Sequence, residues 1–300
     1  MLLRVDSVSL SQSRERIRKR HGMTRSVLVP SSLTREAEDK REATRKLGYV
    51  ARAATIFRVD RLVVFPDSGG DTGRFGDGFV ETVLEYAATP PYLRKEVWDR
   101  RGELECAGVL PPLLVRSQTG SGSDGSGSLR QGIVTEVGSD ERVRVNCGLQ
   151  HPISLPVPPS MEVEEGERVT IRVSSREPVR AKLVAEPRPG FAVERATIAD
   201  CLTRPDAGVR IAASRHGEVL TVDRLGDIVE RTTDDGLTVV FGAPGRGLPE
   251  ILDCEPRAGT IGDEPNARFD LWLNTVPNQG SEVVRTEEAL FATLAPLTLE

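Results

Sequence analysis

Two short stretches near the carboxyl end of the chain combine residue types that suit ligand binding. The first, residues 242–248, reads GAPGRGL and follows the apolar run 237–241. The second, residues 274–281, has five uncharged polar side chains in eight residues and follows the apolar run 269–273. Glycines let a backbone approach a ligand closely, and peptide and amide groups can bond an adenine or a carboxylate. We therefore expect two loops side by side at the carboxyl edge of a parallel sheet, forming a ligand crevice.

Each stretch also has a plainer interpretation. The glycine stretch has neither the GxGxxG nucleotide fingerprint nor the GK[ST] ending of a P-loop, so no lysine is supplied for phosphates, and a simple turn accounts for it. The polar stretch can be an Asx-rich turn that satisfies its own backbone. If these groups do bind a ligand, their lack of charge favours a neutral or zwitterionic molecule over a polyphosphate.

Metal and histidine chemistry is poorly represented in the sequence. The histidines and cysteines are few and scattered: His21, His151, His216, Cys106, Cys147, Cys201 and Cys254. Neighbouring positions cannot build a zinc site of the usual spacing, so we expect no metal cofactor. The scattered cysteines are typical of free, buried thiols in a reducing compartment.

Composition limits the class of protein. The chain has 300 residues, 38% of them hydrophobic and 28% charged, which is enough for two domains or for one domain with an insertion. No apolar run reaches the roughly 18 residues of a membrane span, and the amino-terminal residues do not resemble a secretory signal. We expect a cytoplasmic protein.

The charge pattern leaves RNA contact open. The formal net charge is −5, yet all but five of the 40 basic residues are arginine. Arginine suits phosphates and base edges, so the bias is compatible with RNA binding. The alternative is GC-rich coding or a lysine-poor surface suited to a salty cytosol, and the acidic balance favours that alternative.

The amino-terminal part has the pattern of an α/β layer. Residues 26–29 and 61–65 are short apolar runs typical of buried strands. Residues 34–57 show helical periodicity, and a second amphipathic helix lies around residues 79–87. The alternation of strand and helix predicts a parallel sheet.

The middle of the chain differs from the amino-terminal part in composition and in its pattern of apolar runs. Residues 117–128 are nearly all Gly, Ser and Asp, which is typical of a flexible linker, and five short strand-like runs follow within 133–184. Five strands in so short a stretch predict a small all-β barrel of OB-like type, inserted into the α/β domain.

The predicted organisation of the whole chain has four parts: an extension (1–24), the first part of the α/β domain (25–115), the linker and barrel (116–187) and the second part of the α/β domain (188–300). The extension is interpreted as a disordered tail, as an upstream addition before a start at Met23, or as a basic RNA-contacting arm.

The carboxyl-terminal third carries the strands that position the two loops. Apolar runs at 209–213, 237–241 and 269–273 predict three strands, with 214–217 as a polar loop leaving the first. A last helix is expected to start near Thr286, with that residue as its cap.

These carboxyl-terminal segments resemble a known family. VVFGAPGRGL and FDLWLNTVPNQGSEVVRTEEAL are similar to the cofactor-binding end of SPOUT methyltransferases, and more narrowly to the archaeal and eukaryotic branch of RNA methyltransferases with an OB-like insertion. The resemblance continues upstream in YVARAATIFRVDRLVVF, PPYLRK, LECAGVLPPL and RQGIV…VNCG. It covers nearly everything from residue 26 to residue 297.

The resemblance implies more than the spacing of residues does. It implies an α/β parallel sheet with a carboxyl-terminal trefoil knot, a topology that general chain-connection rules make very rare. It further implies a homodimer that binds S-adenosylmethionine and methylates RNA, with ribosomal RNA as the expected substrate. The implied cofactor-binding residues are Gly242, Gly245, Gly247, Leu248, Asn274, Thr275, Gln279, Gly280 and Ser281. By the same resemblance, Arg215 lies where a polar loop faces the methyl donor and the substrate.

Methyl transfer from a sulfonium is an in-line displacement that needs positioning more than reactive side chains. If the acceptor is N3 of a uridine, a proton must leave, and Arg215 is the candidate catalytic residue that stabilises the developing anion. The alternative role for Arg215 is only to pair with a neighbouring carboxylate.

A different function of the whole protein is also open: a non-catalytic RNA-binding protein with the same fold. A dinucleotide-dependent oxidoreductase is disfavoured because no GxGxxG opens a βαβ unit.

The predicted barrel is the expected RNA-holding part, since such barrels bind single strands by stacking and backbone contacts. Residues 130–186 contain no Phe, Tyr or Trp. RNA contact is therefore assigned to arginines instead: Arg142, Arg144, Arg168 and Arg172. The alternative is a solvated barrel face.

Overall fold

The computed structural model describes residues 24–70, 75–113, 115, 128–176, 178–257, 259–260 and 268–299. The predictions for residues 1–23 and for most of the linker lie outside this part of the chain. Ser128, the last residue assigned to the linker, already belongs to a strand.

The strands are β1 (Arg25–Pro30), β2 (Arg61–Phe65), β3 (Ser128–Val137), β4 (Arg142–Asn146), β5 (Ile153–Pro156), β6 (Arg168–Arg176), β7 (Val179–Leu183), β8 (Ala192–Arg195), β9 (Val209–Val219), β10 (Leu237–Phe241), β11 (Gly259–Thr260), β12 (Arg268–Phe269) and β13 (Leu271–Asn274). The α-helices are α1 (Lys40–Ile56), α2 (Phe79–Ala88), α3 (Arg94–Val97), α4 (Ile198–Leu202), α5 (Val222–Asp235), α6 (Leu248–Leu252) and α7 (Thr286–Leu297). Two 3₁₀ turns cover Gly102–Leu104 and Ala107–Val109.

Six strands form the central sheet in the order β13-β9-β10-β1-β2-β8, and every pairing is parallel. The inner strands β1, β2 and β10 are almost entirely buried and apolar, as expected for strands that are covered on both faces. The predicted α/β parallel sheet is confirmed. Because all strands point the same way, the segments that follow them gather at one edge.

The five strands β3 to β7 form a separate antiparallel sheet in the order β5-β4-β3-β6-β7. Its outermost strands β5 and β7 contact each other, so the sheet nearly closes into a barrel. Buried side chains alternate along the strands and form an apolar interior that includes Val145, Leu155 and Ile171. In the chain, β2 precedes this small all-β unit and β8 follows it, and both of these strands belong to the central sheet.

Helix α1 begins later than the sequence pattern indicates. The prediction of a helix from Thr34 is wrong, because residues 31–36 form turns and Asp39 is the helix N-cap. The Asp39 carboxylate accepts a hydrogen bond of 2.7 Å from the backbone N–H of Glu42. The apolar positions of the helix do face the core, where Leu47 and Val50 are fully buried.

The predicted polar loop at residues 214–217 is also wrong, because β9 continues to Val219. The pairing with β13 shifts there: Ala212 lies opposite Trp272, and Glu218 lies opposite Leu273, the next residue. Residues 213–217 therefore form a large bulge in the strand. A Cβ at Gly217 would lie 2.6 Å from the carbonyl carbon of Trp272, so a glycine is required at this close approach.

Two further boundaries differ near the carboxyl end. The strand predicted at 269–273 is interrupted at Asp270, whose carboxylate accepts a 2.9 Å hydrogen bond from the backbone N–H of Arg210. Thr286 is not the cap of α7. Arg285 is the N-cap, and its backbone N–H donates to the Glu288 carboxylate, which leaves the Thr286 hydroxyl free to bond elsewhere.

Candidate functional site

The glycine stretch after β10 folds as a tight turn. Two backbone hydrogen bonds of 3.0 Å join Ala243 and Arg246 in both directions. Pro244 and Gly245, the latter with φ of +67°, occupy the two central positions, and this residue order is typical of a type II turn. A Cβ at Gly242 would lie 2.9 Å from the backbone nitrogen of Leu248, so the chain folds closely back over that glycine.

The four predicted residues of this first loop differ in exposure. Gly245 and Gly247 are exposed and Gly242 is half-buried. Leu248 is the first residue of α6 and is fully buried in the apolar cluster that contains Trp272. Leu248 thus anchors the loop to the core.

The side chains of the second loop bond mainly to the loop itself. The Asn274 side chain accepts from the N–H of Val276 and donates to the carbonyl oxygen of Arg215, at 3.0 and 3.1 Å. The Gln279 amide donates to the carbonyl oxygen of Ser281 at 2.8 Å, and the Ser281 hydroxyl donates to the carbonyl oxygen of Val283, just after the loop, at 2.9 Å. The Asx-turn interpretation therefore describes these side chains well.

The backbone of the second loop is bonded less extensively than its side chains. The peptide groups of residues 275–281 form no backbone–backbone hydrogen bond with the described part of the chain. Gly280 is exposed, and no atom lies within 4 Å of the place where its Cβ would be. Uncharged peptide groups therefore lie at this edge of the sheet, and such groups match the edge of an adenine ring and a carboxylate. Two of them, the Val276 N–H and the Ser281 C=O, already bond to the side chains of Asn274 and Gln279.

Helix α7 joins the two loops. The Thr286 hydroxyl donates a 2.8 Å hydrogen bond to the carbonyl oxygen of Gly242 in the first loop. The hydroxyls of Thr293 and Thr275 in the second loop lie 2.7 Å apart. Leu290 and Leu294 are buried in the core and fix the helix. The two loops are thus brought to one edge, with the end of β9 between them because the sheet order is β13-β9-β10.

Arg215 lies in the bulge of β9, between the strands that lead into the two loops. Its side chain is exposed, and its Nε donates to Nε2 of His216 at 3.1 Å. Within the described residues, no carboxylate lies within ion-pair distance of Arg215. The carboxylate-pairing alternative has no partner in this part of the chain.

Sequence reasoning missed a buried ionic group beside the first loop. The carboxylate of Asp67, just after β2, has an exposed side-chain fraction of 1% and lies 3.3 Å from Nε of Arg246. The Ser32 hydroxyl, just after β1, donates to the same carboxylate at 2.6 Å. A Cβ at Gly69 would lie 2.4 Å from an Arg246 nitrogen, so the guanidinium occupies the space beside that glycine. The sequence signal is the PDSGG segment at residues 66–70, which follows β2.

The four barrel arginines predicted to bind RNA all have protein partners. Arg142 donates to the Ser154 carbonyl at 2.9 Å, and Arg144 lies 3.5 Å from the Glu136 carboxylate. Arg168 donates to the side-chain oxygen of Gln131, and Arg172 pairs with the Glu186 carboxylate. Burial lowers the pKa of Arg168. Arg144 is the most exposed of these four residues, and RNA contact by the four stays a prediction.

The cysteines and the possible metal ligands of the described residues form no further candidate site. All four cysteines are free thiols, and burial raises the pKa of Cys147 and of Cys201. Among the described residues, no group of three or more His, Cys, Asp or Glu side chains is placed to hold a metal ion. No helix in these ranges is long and apolar enough to cross a membrane.

Together, the parallel sheet, the inserted antiparallel unit and the paired loops define an α/β protein with a candidate ligand site at the carboxyl edge of its sheet. Residues 24–297 match the family described as "Putative RNA methyltransferase". The chain belongs to this family of RNA methyltransferases, and the resemblance found in the sequence is confirmed.

The sequence matches with three relatives cover nearly the whole chain. An uncharacterized protein of Haloarcula marismortui is 70% identical and covers 92% of this chain and 99% of its own length. The human 28S rRNA (uridine-N(3))-methyltransferase is 30% identical over 91% of this chain and 77% of its own length. The mouse protein of the same name is 29% identical over 91% of this chain and 76% of its own length.

One solved structure gives a remote match. It is the SpoU methyltransferase AviRb from Streptomyces viridochromogenes in complex with AdoMet, with a TM-score of 0.36 and 9% identity. The match covers 92% of this chain and 57% of that one.

Proposed function

We propose that this protein transfers a methyl group from S-adenosylmethionine to N3 of a uridine in ribosomal RNA. The observation that carries the proposal is the 30% identity with the human 28S rRNA (uridine-N(3))-methyltransferase, which extends over 91% of the chain. The family match from 24 to 297 includes both loops at the carboxyl edge of the sheet.

The donor set at this edge suits S-adenosylmethionine. The peptide groups of residues 275–281 are free of backbone–backbone bonds, and Gly245 and Gly280 leave open space beside the chain. Such groups fit an adenine edge and an amino-acid carboxylate, and the site needs no lysine because the molecule has no phosphate. The residues that would hold it are Gly242, Gly245, Gly247, Leu248, Asn274, Thr275, Gln279, Gly280 and Ser281. When bound, S-adenosylmethionine supplies an electrophilic methyl group on a sulfonium.

Arg215 is the proposed catalytic residue. N3 of a uracil carries a proton, which must pass to solvent, and the ring then carries negative charge until the N3–methyl bond forms and neutralises it. The Arg215 guanidinium is exposed and unpaired with carboxylates among the described residues, so its charge is available to that anion. The rest of the site positions the reactants, which is the main requirement of an in-line displacement.

The proposal also includes the knot, the type of the barrel and the oligomeric state. The trefoil knot is proposed from the family resemblance, and the bond from Thr286 to Gly242 places the start of α7 against the first loop. The strand order β5-β4-β3-β6-β7, with β5 beside β7, supports an OB-type barrel. We further propose a cytoplasmic homodimer, for which the exposed Val219 and Val222 are candidate contact residues.

The test is methyl transfer in vitro. The purified protein is incubated with deproteinised ribosomal RNA and S-adenosylmethionine carrying an isotope-labelled methyl group, and the RNA is digested for nucleoside mass spectrometry. We expect labelled N3-methyluridine, and a reaction without protein is the control. Unlabelled RNA after incubation with a protein that binds it would contradict the proposal. If isothermal titration also gives no heat with S-adenosylmethionine, the non-catalytic RNA-binding alternative replaces it.

A further inference from the structure

Three aromatic side chains, Tyr86, Tyr92 and Trp98, lie in one segment of the α/β domain that precedes the barrel. The rings of Tyr86 and Trp98 are 5.7 Å apart in an edge-to-face arrangement. Tyr92, between them in sequence, reaches the barrel, where its hydroxyl donates to the carbonyl oxygen of Gln131 at 2.9 Å. A Cβ at Gly148 would lie 2.6 Å from the Tyr92 ring. The barrel, which has no aromatic residue of its own in 130–186, thus packs against aromatic rings from the segment before it.

An arginine guanidinium lies over each of these rings. Arg94 is 4.5 Å from the centre of the Tyr86 ring, Arg101 is 5.2 Å from the Trp98 ring and Arg130 is 5.8 Å from the Tyr92 ring. These distances are those of cation–π contacts. Arg101 is exposed, and the other five residues are half-buried. We call these six residues the aromatic–arginine surface: Tyr86, Tyr92, Trp98, Arg94, Arg101 and Arg130.

Hydrogen bonds hold these groups in place. The Trp98 indole N–H donates to the Thr89 hydroxyl at 3.0 Å, and Arg94 donates to the Thr89 carbonyl oxygen at 3.1 Å. Arg130 donates to the carbonyl oxygen of Cys147 at 3.0 Å. Because the planar groups are already ordered, a partner that stacks on them loses little side-chain entropy.

The arginines of this surface differ in their electrostatic surroundings: burial lowers the pKa of Arg94, whereas Arg101 is exposed and interacts with the charge of Glu85. In the described part of the chain, no salt bridge joins a carboxylate to Arg94, Arg101 or Arg130, and the same holds for the neighbouring exposed Lys95 and Arg100. By contrast, two of the arginines predicted to bind RNA on the barrel are paired with Glu136 and Glu186. The nearby Glu96 side chain accepts a 2.6 Å hydrogen bond from the Asn146 amide and so bonds to the barrel.

We propose that the aromatic–arginine surface is where a single-stranded segment of the RNA substrate docks. Bases of single-stranded RNA stack on aromatic rings and on guanidinium planes, and Arg101 presents an exposed guanidinium over the Trp98 ring. Lys95 and Arg100 lie in the same segment and supply charge for phosphates. This inference rests on the proposed function, because it takes the substrate to be RNA. It places the stacking contact beside the barrel, on Trp98 and Arg101, which precede it in the chain.

The experiment measures RNA binding by fluorescence anisotropy with a labelled single-stranded oligouridylate. Arg101→Ala removes an exposed side chain whose ring contact is with Trp98, so folding is expected to be retained. We expect it to weaken RNA binding about tenfold, the effect of losing about one stacking contact. Arg52→Ala, at an exposed arginine on α1, is the matched control and should bind RNA like the wild type. The affinity of Arg101→Ala for S-adenosylmethionine should not change.

A second readout follows Trp98 directly. The other tryptophan, Trp272, is 4% exposed, so RNA that stacks at the surface should quench the emission of Trp98. Trp98→Phe keeps a ring and should retain more RNA affinity than Trp98→Leu.

The outcomes separate this inference from the proposed function. If Arg101→Ala and Trp98→Leu bind RNA with wild-type affinity while the wild type methylates it, the docking surface is wrong and the proposed function stands. If the wild type neither binds nor methylates RNA, both fail. Weaker RNA binding by Arg101→Ala, with unchanged affinity for S-adenosylmethionine, supports the surface.

Discussion

The hydroxyl of Thr286 donates a 2.8 Å hydrogen bond to the carbonyl oxygen of Gly242, 44 residues earlier in the chain. Gly242 is the first residue after β10, and Thr286 is the first residue of α7, which follows the second loop. The bond is buried on the Thr286 side, where the exposed fraction is 3%. It makes the glycine turn and the helix after the polar loop one structural unit.

Replacing Thr286 with valine should weaken S-adenosylmethionine binding. The change keeps the shape of the side chain and removes the donor, so the Gly242 carbonyl loses a partner and the first loop is less firmly placed. We expect an affinity loss of roughly two- to twelvefold, from about 0.5–1.5 kcal/mol per hydrogen bond. Isothermal titration measures it. Thr298→Val is the matched control, because the Thr298 hydroxyl donates to the Leu294 carbonyl at the other end of α7. Equal affinities for the two variants would show that the bond does not matter for the cofactor.

Replacing Arg215 with alanine should abolish methyl transfer and leave S-adenosylmethionine affinity nearly intact. The side chain is exposed, so stability should not change, and only the stabilisation of the developing anion is lost. The loss should appear in kcat, measured with saturating RNA, by at least about 100-fold. Arg52→Ala serves as the control for removal of an exposed arginine. Unchanged turnover in Arg215→Ala would refute the catalytic role.

Replacing Asp67 with asparagine should destabilise the fold by about 1–3 kcal/mol, because it leaves the Arg246 guanidinium without its buried counter-charge. The control is Asp77→Asn, since Asp77 also lies 3.3 Å from an arginine but is 82% exposed, and we expect at most about 1 kcal/mol there. Urea unfolding gives both values. Double substitution of Asp67 and Arg246 should cost less than the sum of the single changes. Strict additivity would mean that the pair does not interact.

Asp270 should make stability depend on pH. Burial alone acts to raise the pKa of this carboxyl, but hydrogen bonds and charge from Arg210 outweigh it and lower the pKa below its ordinary 3.8. A depressed pKa contributes stability above about pH 3.8 that is lost as pH falls through the folded-state value. Asp270→Asn should therefore be less stable than the wild type at pH 7, by about 1–3 kcal/mol. The difference should shrink as the pH falls below 3.8, and a difference that is constant across the acid range would contradict this account.

The strands of the sheet could be predicted because their environment leaves a clear pattern. Strands β1, β2 and β10 are buried on both faces and read as short apolar runs closed by Pro or Gly. The bulge of β9 could not be predicted, since its residues are partly exposed and therefore polar, like those of a loop. These residues belong to a strand only because the segments on either side of them pair with β13, and that pairing is a tertiary contact.

The candidate site was predictable in part for similar reasons. The two loops stand out by composition, and Arg215 entered through the family resemblance. The roles of Thr286 and Asp67 depend on partners 44 and 179 residues away, and no local pattern carries that information. Thr286 has the residue type of a helix cap, and only the folded chain shows that its hydroxyl bonds to the first loop.

The measurement that tests the central claim most directly is a crystal structure of the protein grown with S-adenosylmethionine. The account predicts the molecule between residues 242–248 and 274–281, bonded to their peptide groups, with its methyl group toward the bulge that carries Arg215. Both loops empty at saturating S-adenosylmethionine, or the molecule bound at another edge of the sheet, would contradict it.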